Sequence, residues 1–238
     1  MSEDGNLQRT REGHEGTGPG AITPDGCAVE LYRRLGAGTE PDVIGAAVPA
    51  GATLLELGSG AGRVTRPLVE RGFAVTAVDE SAEMLEAVGE CAPGAETVLS
   101  SIEDLDLPRT FDAVVLGSFL VHTADAGGRQ ALLETCRRHV KDDGRVLIQR
   151  EGADWHTDLP RERHDPAGYT VRIVSAEPVG EGVNSVHAEY VFPDARWTQT
   201  FLSRPLTAEA LEGYLAEAGL AFDGYLTDDG TWLAARPR

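Results

Sequence analysis

A chain of 238 residues, 41% hydrophobic and 25% charged, is long enough for one α/β domain of ordinary size carrying an insertion, and one core is the default. Its 39 Asp and Glu against 21 Lys and Arg leave a net charge of −18, which argues against nucleic acid or an anionic membrane as a partner. No uncharged apolar run reaches the roughly 18 residues of a membrane span, and Cys27, Cys91 and Cys136 have neither zinc spacing nor a Cys-x-x-Cys pair, so a soluble cytoplasmic protein with reduced thiols and no metal is expected.

In chain order, Met1 to Gly20 is rich in Gly, Glu and Arg and reads as a disordered tail. Helical spacing follows over Cys27 to Leu35 and from Glu40 to Val48, the latter opened by Pro41. The pattern then changes. Thr53 to Leu57 is a buried strand, Gly58 to Gly62 a turn, Val64 to Arg71 a helix, and Ala74 to Val78 a second strand. Ser81 caps a helix whose apolar face carries Met84, Leu85 and Val88. Short strands at Thr97 to Leu99 and Phe111 to Leu116, a helix from Arg129 to Val140, and a strand Arg145 to Ile148 after an Asp143-Gly144 turn complete an alternation that implies a parallel sheet covered on both faces.

Beyond Gln149 the pattern differs. Glu151 to Pro166 is polar and loop-like, and Tyr169 to Leu202 shows three period-two runs, predicting an antiparallel meander inserted after the fifth strand. Thr207 caps a helix through Ala218, and Ala221 to Leu226 and Thr231 to Ala235 form a closing hairpin. The expected division is a tail over 1–20 and one domain over 21–238, with its core in 52–150 and 206–238 and a meander insertion over 151–205 that is expected to form a lid over the substrate.

The glycine turn carries the chemistry. A strand running into Gly58-x-Gly60-x-Gly62 at a helix start lets backbone N–H groups approach a ligand that a Cβ would hold off. Asp79 ends the next strand, where a carboxylate can accept from both ribose hydroxyls, so turn and acid together select an adenosine-containing ligand. A dinucleotide fingerprint needs glycine at the sixth position, which here is Arg63, and Glu56 just before the turn would repel a diphosphate while attracting an ammonium group. These features point to S-adenosylmethionine.

With Leu55-Glu56-Leu57-Gly58-Ser59-Gly60-Ala61-Gly62-Arg63, then Val78-Asp79-Glu80-Ser81, Met84-Leu85, Glu103-Asp104-Leu105, Phe111 to Val115 and Leu120-Val121-His122 in order, the chain resembles the class I S-adenosylmethionine-dependent methyltransferases, specifically their small-molecule branch. The resemblance is clear over Thr53 to Ile148 and extends to the closing helix and hairpin. It implies a Rossmann-like sheet of seven mostly parallel strands with the last antiparallel. It also implies cofactor binding by Glu56, Gly58, Ser59, Gly60, Gly62, Arg63, Asp79, Glu80, Met84, Ser101, Ile102 and Gly117, with Glu56 and Gly58 near the methionine part, Asp79 on the ribose, Met84 against the adenine and Ser101-Ile102 along the adenine edge. The family often has Asp where Ser101 stands, and a serine oxygen accepts less strongly.

His122 follows the fourth strand at the carboxyl edge of the sheet, as a candidate general base or as a packing histidine; His139, near a helix C-terminus, suits the helix dipole. The expected activity is methyl transfer to an O, N or C nucleophile of a small molecule, by a monomer or homodimer. The alternatives are a non-methyl reaction of the same cofactor, or a module that only binds it.

Overall fold

The computed structural model describes residues 11–152 and 154–238. Its centre is a seven-stranded sheet built from β2 (Thr53–Leu57), β3 (Ala74–Asp79), β4 (Glu96–Leu99), β5 (Phe111–Leu116), β6 (Val140–Gln149), β11 (Leu220–Tyr225) and β12 (Trp232–Pro237), in the order β11-β12-β6-β5-β2-β3-β4. The pairs β2/β3, β2/β5, β3/β4 and β5/β6 are parallel, and β12 runs antiparallel between β6 and β11. The predicted sheet, with its last strand reversed, is present.

Period-two alternation sends successive residues to opposite faces. Leu55, Leu57, Val114, Leu116, Val146 and Ile148 join the core beneath α5 (Ala126–His139) and α6 (Ala208–Glu217). Leu54, Val75, Ala113, Val115 and Leu147 join the opposite core with Ile44 of α2 (Glu40–Ala47) and Leu68 of α3 (Thr65–Glu70), and α4 (Ala82–Cys91) lies on that side through Leu85 and Val88. Strand order reverses between β2 and β5, which opens a crevice at their carboxyl ends.

A second, antiparallel sheet of order β1-β10-β9-β8-β7 contains the three predicted meander strands, β8 (Thr170–Gly180), β9 (Val183–Val191) and β10 (Arg196–Ser203). It also contains two strands the periodicity did not show. β7 (Arg161–His164) was expected to be loop because its four residues are polar or charged; it is an edge strand, exposed on most positions. β1 (Glu15–Thr17) falls within the expected disordered tail, yet pairs with Thr198 to Thr200 of β10, a partner that local composition cannot announce. Residues 1–10 of that tail lie outside the described residues.

The Asp143-Gly144 turn is absorbed into β6. Phe111 pairs with Val140 and Ala113 with Arg145, so the intervening residues bulge out of the ladder. Gly144 is required there, since a Cβ would lie 2.8 Å from the Asp112 carbonyl oxygen.

Candidate functional site

The glycine turn leaves β2 with Gly58 and Gly60 at φ +71° and +54°, in the left-handed region where a side chain is strained. Gly62, likewise left-handed at φ +84°, has a second reason: its Cβ would lie 2.9 Å from Cys91 Sγ and 3.4 Å from Val88 Cα, so this glycine lets the turn pack on α4. Asp79 braces the same turn, its Oδ2 accepting from Gly60 N at 2.8 Å and its Oδ1 from Ser81 N at 2.9 Å. Burial raises its carboxyl to about 6 against the pull of those two N–H groups.

Beside the turn, Glu56 points to the α3 face of the sheet and is buried, accepting from Thr65 Oγ1 at 2.6 Å. Desolvation lifts its carboxyl to about 7, opposed by the Thr65 hydrogen bond and Arg63. Arg63 itself is held by Glu40 at 2.7 Å.

Glu56, Gly58, Ser59, Arg63, Gly117, Ser118 and Gln149 line an open cavity at the carboxyl ends of β2 and β5. Ser59 Oγ is buried and has no hydrogen-bond partner among the described residues. A buried unpartnered hydroxyl, a buried carboxylate and backbone free of side chains fit the polar end of an amino-acid-like ligand. Just past β5, Ser118 and Phe119 both take positive φ, +51° and +59°. Two non-glycine residues in this region store strain of about 1–3 kcal/mol each. Gln149 Oε1 holds the pair by accepting from Ser118 N at 2.8 Å, and His122 N donates to Phe119 O at 2.8 Å.

The remaining predicted residues lie away from this cavity. Met84 is buried against Val29, Ala61 and Ala87, contacts that give it a packing role between α4 and α1 (Val29–Arg34). Ser101 Oγ is used locally, donating to Asp104 at 2.8 Å, and Ile102 packs against the core beside Gly58. Glu80 is paired with Arg11 at 3.0 Å.

His122 is 3% exposed, and both its nitrogens are engaged: Nδ1 donates to Arg204 O at 2.8 Å and Nε2 accepts from Glu151 N at 3.0 Å. That geometry makes it a strap between the turn after β5, the loop after β6 and the end of β10, with no nitrogen left to take a proton from a substrate. Burial lowers its pKa, consistent with a neutral ring. His139 likewise departs from expectation. It is fully buried, accepting from Leu107 N at 3.0 Å and donating to Thr135 O at 2.9 Å, and burial lowers its pKa too, which does not suit a charged partner for the helix dipole.

Several site residues had no sequence signal beyond position. Gln149 is the first polar residue after the apolar run of β6. Tyr32 of α1 stands 3.5 Å from where a Gly60 Cβ would be, and its hydroxyl lies 3.4 Å from Gln199 of β10. Trp155 sits 6.2 Å from both Phe119 and Phe201, so the second sheet closes over the β5 edge through aromatic contacts. Among the described residues no group of His, Cys, Asp and Glu is placed to hold a metal, and no helix is long and apolar enough to cross a membrane.

Because Asp79 accepts from Gly60 N in the turn and from Ser81 N at the start of α4, Asp79→Ala is expected to destabilise the fold by about 2–3 kcal/mol near pH 4, where the carboxyl is protonated in the fold and no buried charge is relieved, as well as weaken ligand binding. Urea denaturation and calorimetric titration measure the two effects; a variant of normal stability would remove the bracing role.

A family model described as a methyltransferase domain matches residues 55–148. An uncharacterized methyltransferase of Mycobacterium tuberculosis (strain ATCC 25618 / H37Rv) is 38% identical over 93 residues, which are 38% of this chain and 38% of that protein, so the chain matches well under half the length of this relative. Among solved structures, an S-adenosylmethionine-dependent methyltransferase from Clostridium acetobutylicum superposes with TM-score 0.69 at 15% identity, over 87% of this chain and 94% of its own. An amino pentose methyltransferase from Micromonospora echinaspora, involved in calicheamicin biosynthesis, superposes with TM-score 0.67 at 21% identity over 88% and 95%. Residues 55–148 are thus similar to a methyltransferase domain, and the chain has the fold of solved S-adenosylmethionine-dependent methyltransferases.

Proposed function

We propose that this chain binds S-adenosylmethionine in the crevice between β2 and β5 and transfers its methyl group to an O, N or C nucleophile of a small molecule. The observation that carries the reading is the cavity beside the glycine turn, where buried Glu56 and the unpartnered Ser59 hydroxyl meet the glycine backbone of the turn. The methyltransferase match over residues 55–148 and the solved neighbours support it.

In this reading Glu56 faces the ammonium of the methionine part, and Ser59 Oγ and the turn amides take its polar atoms. When bound, the cofactor supplies a methyl group on cationic sulfur, open to in-line attack. The protein contributes orientation and exclusion of water: the strained Ser118-Phe119 elbow sets one wall, and Trp155 with Phe201 carries the second sheet over it. Residues 151–205 then form the acceptor side. The surplus of acid, −18 overall, suits a neutral or cationic acceptor and opposes nucleic acid. Cys27, Cys91 and Cys136 are free, which suits a cytoplasmic setting. The chain acts as a monomer or homodimer.

Calorimetric titration with S-adenosylhomocysteine and with NAD separates this reading from a dinucleotide site, and methyl-labelled cofactor incubated with a panel of small amines and hydroxy compounds tests the transfer. Binding of the first ligand only, with label on an acceptor, is expected. Binding of NAD in its place would overturn the assignment.

A further inference from the structure

The open cavity serves one half of the crevice. Its lining includes Glu56, Gly58, Ser59 and Gly117 but none of Asp79, Glu80, Met84, Ser101 or Ile102, the residues toward the nucleoside end. Leu120 presses on the glycine turn, its Cδ1 standing 2.8 Å from where a Gly58 Cβ would be. At the end of β3, both Asp79 oxygens already accept backbone N–H groups, and the neighbouring carboxylate, Glu80, is taken by the Arg11 guanidinium at 3.0 Å.

Arg11 belongs to a strap that is fastened elsewhere. Its N–H donates to Pro24 O at 3.0 Å, β1 adds to β10, and Trp197 Nε1 donates to Pro19 O at 2.9 Å. Gly16 and Gly26 meet backbone to backbone, since a Cβ on Gly16 would overlap the Gly26 carbonyl. The guanidinium is paired with Glu80, next to Asp79 at the end of β3, and the charges of Glu103 and Asp25 also act on it.

We propose that Arg11 gates the nucleoside end of this crevice, holding Glu80 in the ligand-free protein and releasing it as a ribose takes its place. The proposal rests on the cofactor reading above. Arg11 and Glu80 retain 42% and 32% side-chain exposure, so their pair is a light latch. An ion pair of this exposure shifts an equilibrium by only about two- to fivefold, and the apparent affinity of a ligand needing the open state is reduced by the same factor. A latch of this strength opens readily at ordinary ligand concentrations.

The test is titration of the full chain and its R11A and R11K variants with S-adenosylhomocysteine and with adenosine, using stopped-flow association alongside calorimetry. R11A is expected to bind both ligands about two- to fivefold more tightly, through faster association, while R11K, which keeps the charge, stays near wild type. Raising NaCl from about 0.05 M to about 0.5 M should bring the wild-type and R11A affinities together, because salt screens the pair. Equal or weaker binding by R11A at low salt, with wild type binding normally, overturns the gate and leaves the cofactor reading standing. Failure of all three proteins to bind either ligand overturns both.

Discussion

Glu56→Gln is expected to raise the melting temperature of the ligand-free protein at pH 8 while weakening its hold on S-adenosylhomocysteine. The Glu56 carboxyl, lifted from 4.5 to about 7 by burial, keeps its proton in the folded chain at pH values where the unfolded chain has lost it. Folding therefore takes up a proton between about pH 4.5 and 7, and wild-type stability falls as pH rises through that window. Above it the fold carries a buried charge, at a cost on the order of 3 kcal/mol. Glutamine is neutral throughout, and its amide oxygen can still accept from Thr65 Oγ1. At pH 8 the variant should melt roughly 6–12 °C above wild type, at about 2–4 °C per kcal/mol for a chain of this size. Below about pH 4.5 the two curves should meet, because the wild-type carboxyl is then protonated in both the folded and the unfolded chain. Asp79, also raised, adds a slope of the same sign to both proteins, and its charge is one of the causes that raise Glu56. Affinity for S-adenosylhomocysteine should fall about 10- to 100-fold, the scale of a lost hydrogen bond to a charged group. Equal melting temperatures at pH 8 would show that Glu56 carries no buried charge, and with it the ammonium-binding role would go.

Gly60→Val should eliminate binding, by more than about 100-fold, close to 3 kcal/mol. At φ +54° any β-branched residue is strained, and the turn is held there because Gly60 N donates to Asp79 Oδ2 at 2.8 Å. A bare Cβ has room, with Tyr32 the nearest atom at 3.5 Å, so the two valine methyl groups would be driven toward Tyr32 or into the space above the turn. Gly60→Ala is the graded control: it carries the left-handed strain, roughly 1–2 kcal/mol, without the branch, and should retain measurable affinity. Circular dichroism and thermal melting confirm the fold in each. Normal affinity in a folded Gly60→Val would reduce the glycine turn to a connector between β2 and α3.

These two residues show how far a linear reading reaches. Glu56 and Gly60 are legible because their meaning is local: a polar residue interrupting an apolar strand, and a glycine where the chain must turn sharply. The seven-stranded sheet is legible for the same reason, since Leu54 and Leu55, or Val114 and Val115, point to opposite faces by the geometry of a strand alone. What those side chains meet is a matter of tertiary structure. Asp79 is at the expected strand end, yet whether its oxygens face a ligand or the backbone of Gly60 and Ser81 depends on how the turn folds back over β3. Met84 has the helical spacing of a core residue and of a ligand contact alike, and α1 packing onto α4 gives it protein neighbours.

His122 was a candidate base by position, and its partners are Glu151 and Arg204, 29 and 82 residues further along. β1 has no periodicity worth reading, but β10 offers it a free edge about 180 residues away, and Arg11 finds Glu80 at a separation of 69. Backbone geometry and alternating burial act within a few residues, so the sequence by itself determined the sheet, its helices and the glycine turn. Hydrogen bonds and ion pairs join whatever the fold brings together, so only the tertiary structure decided which polar groups remain free for a ligand and which are already held by the protein.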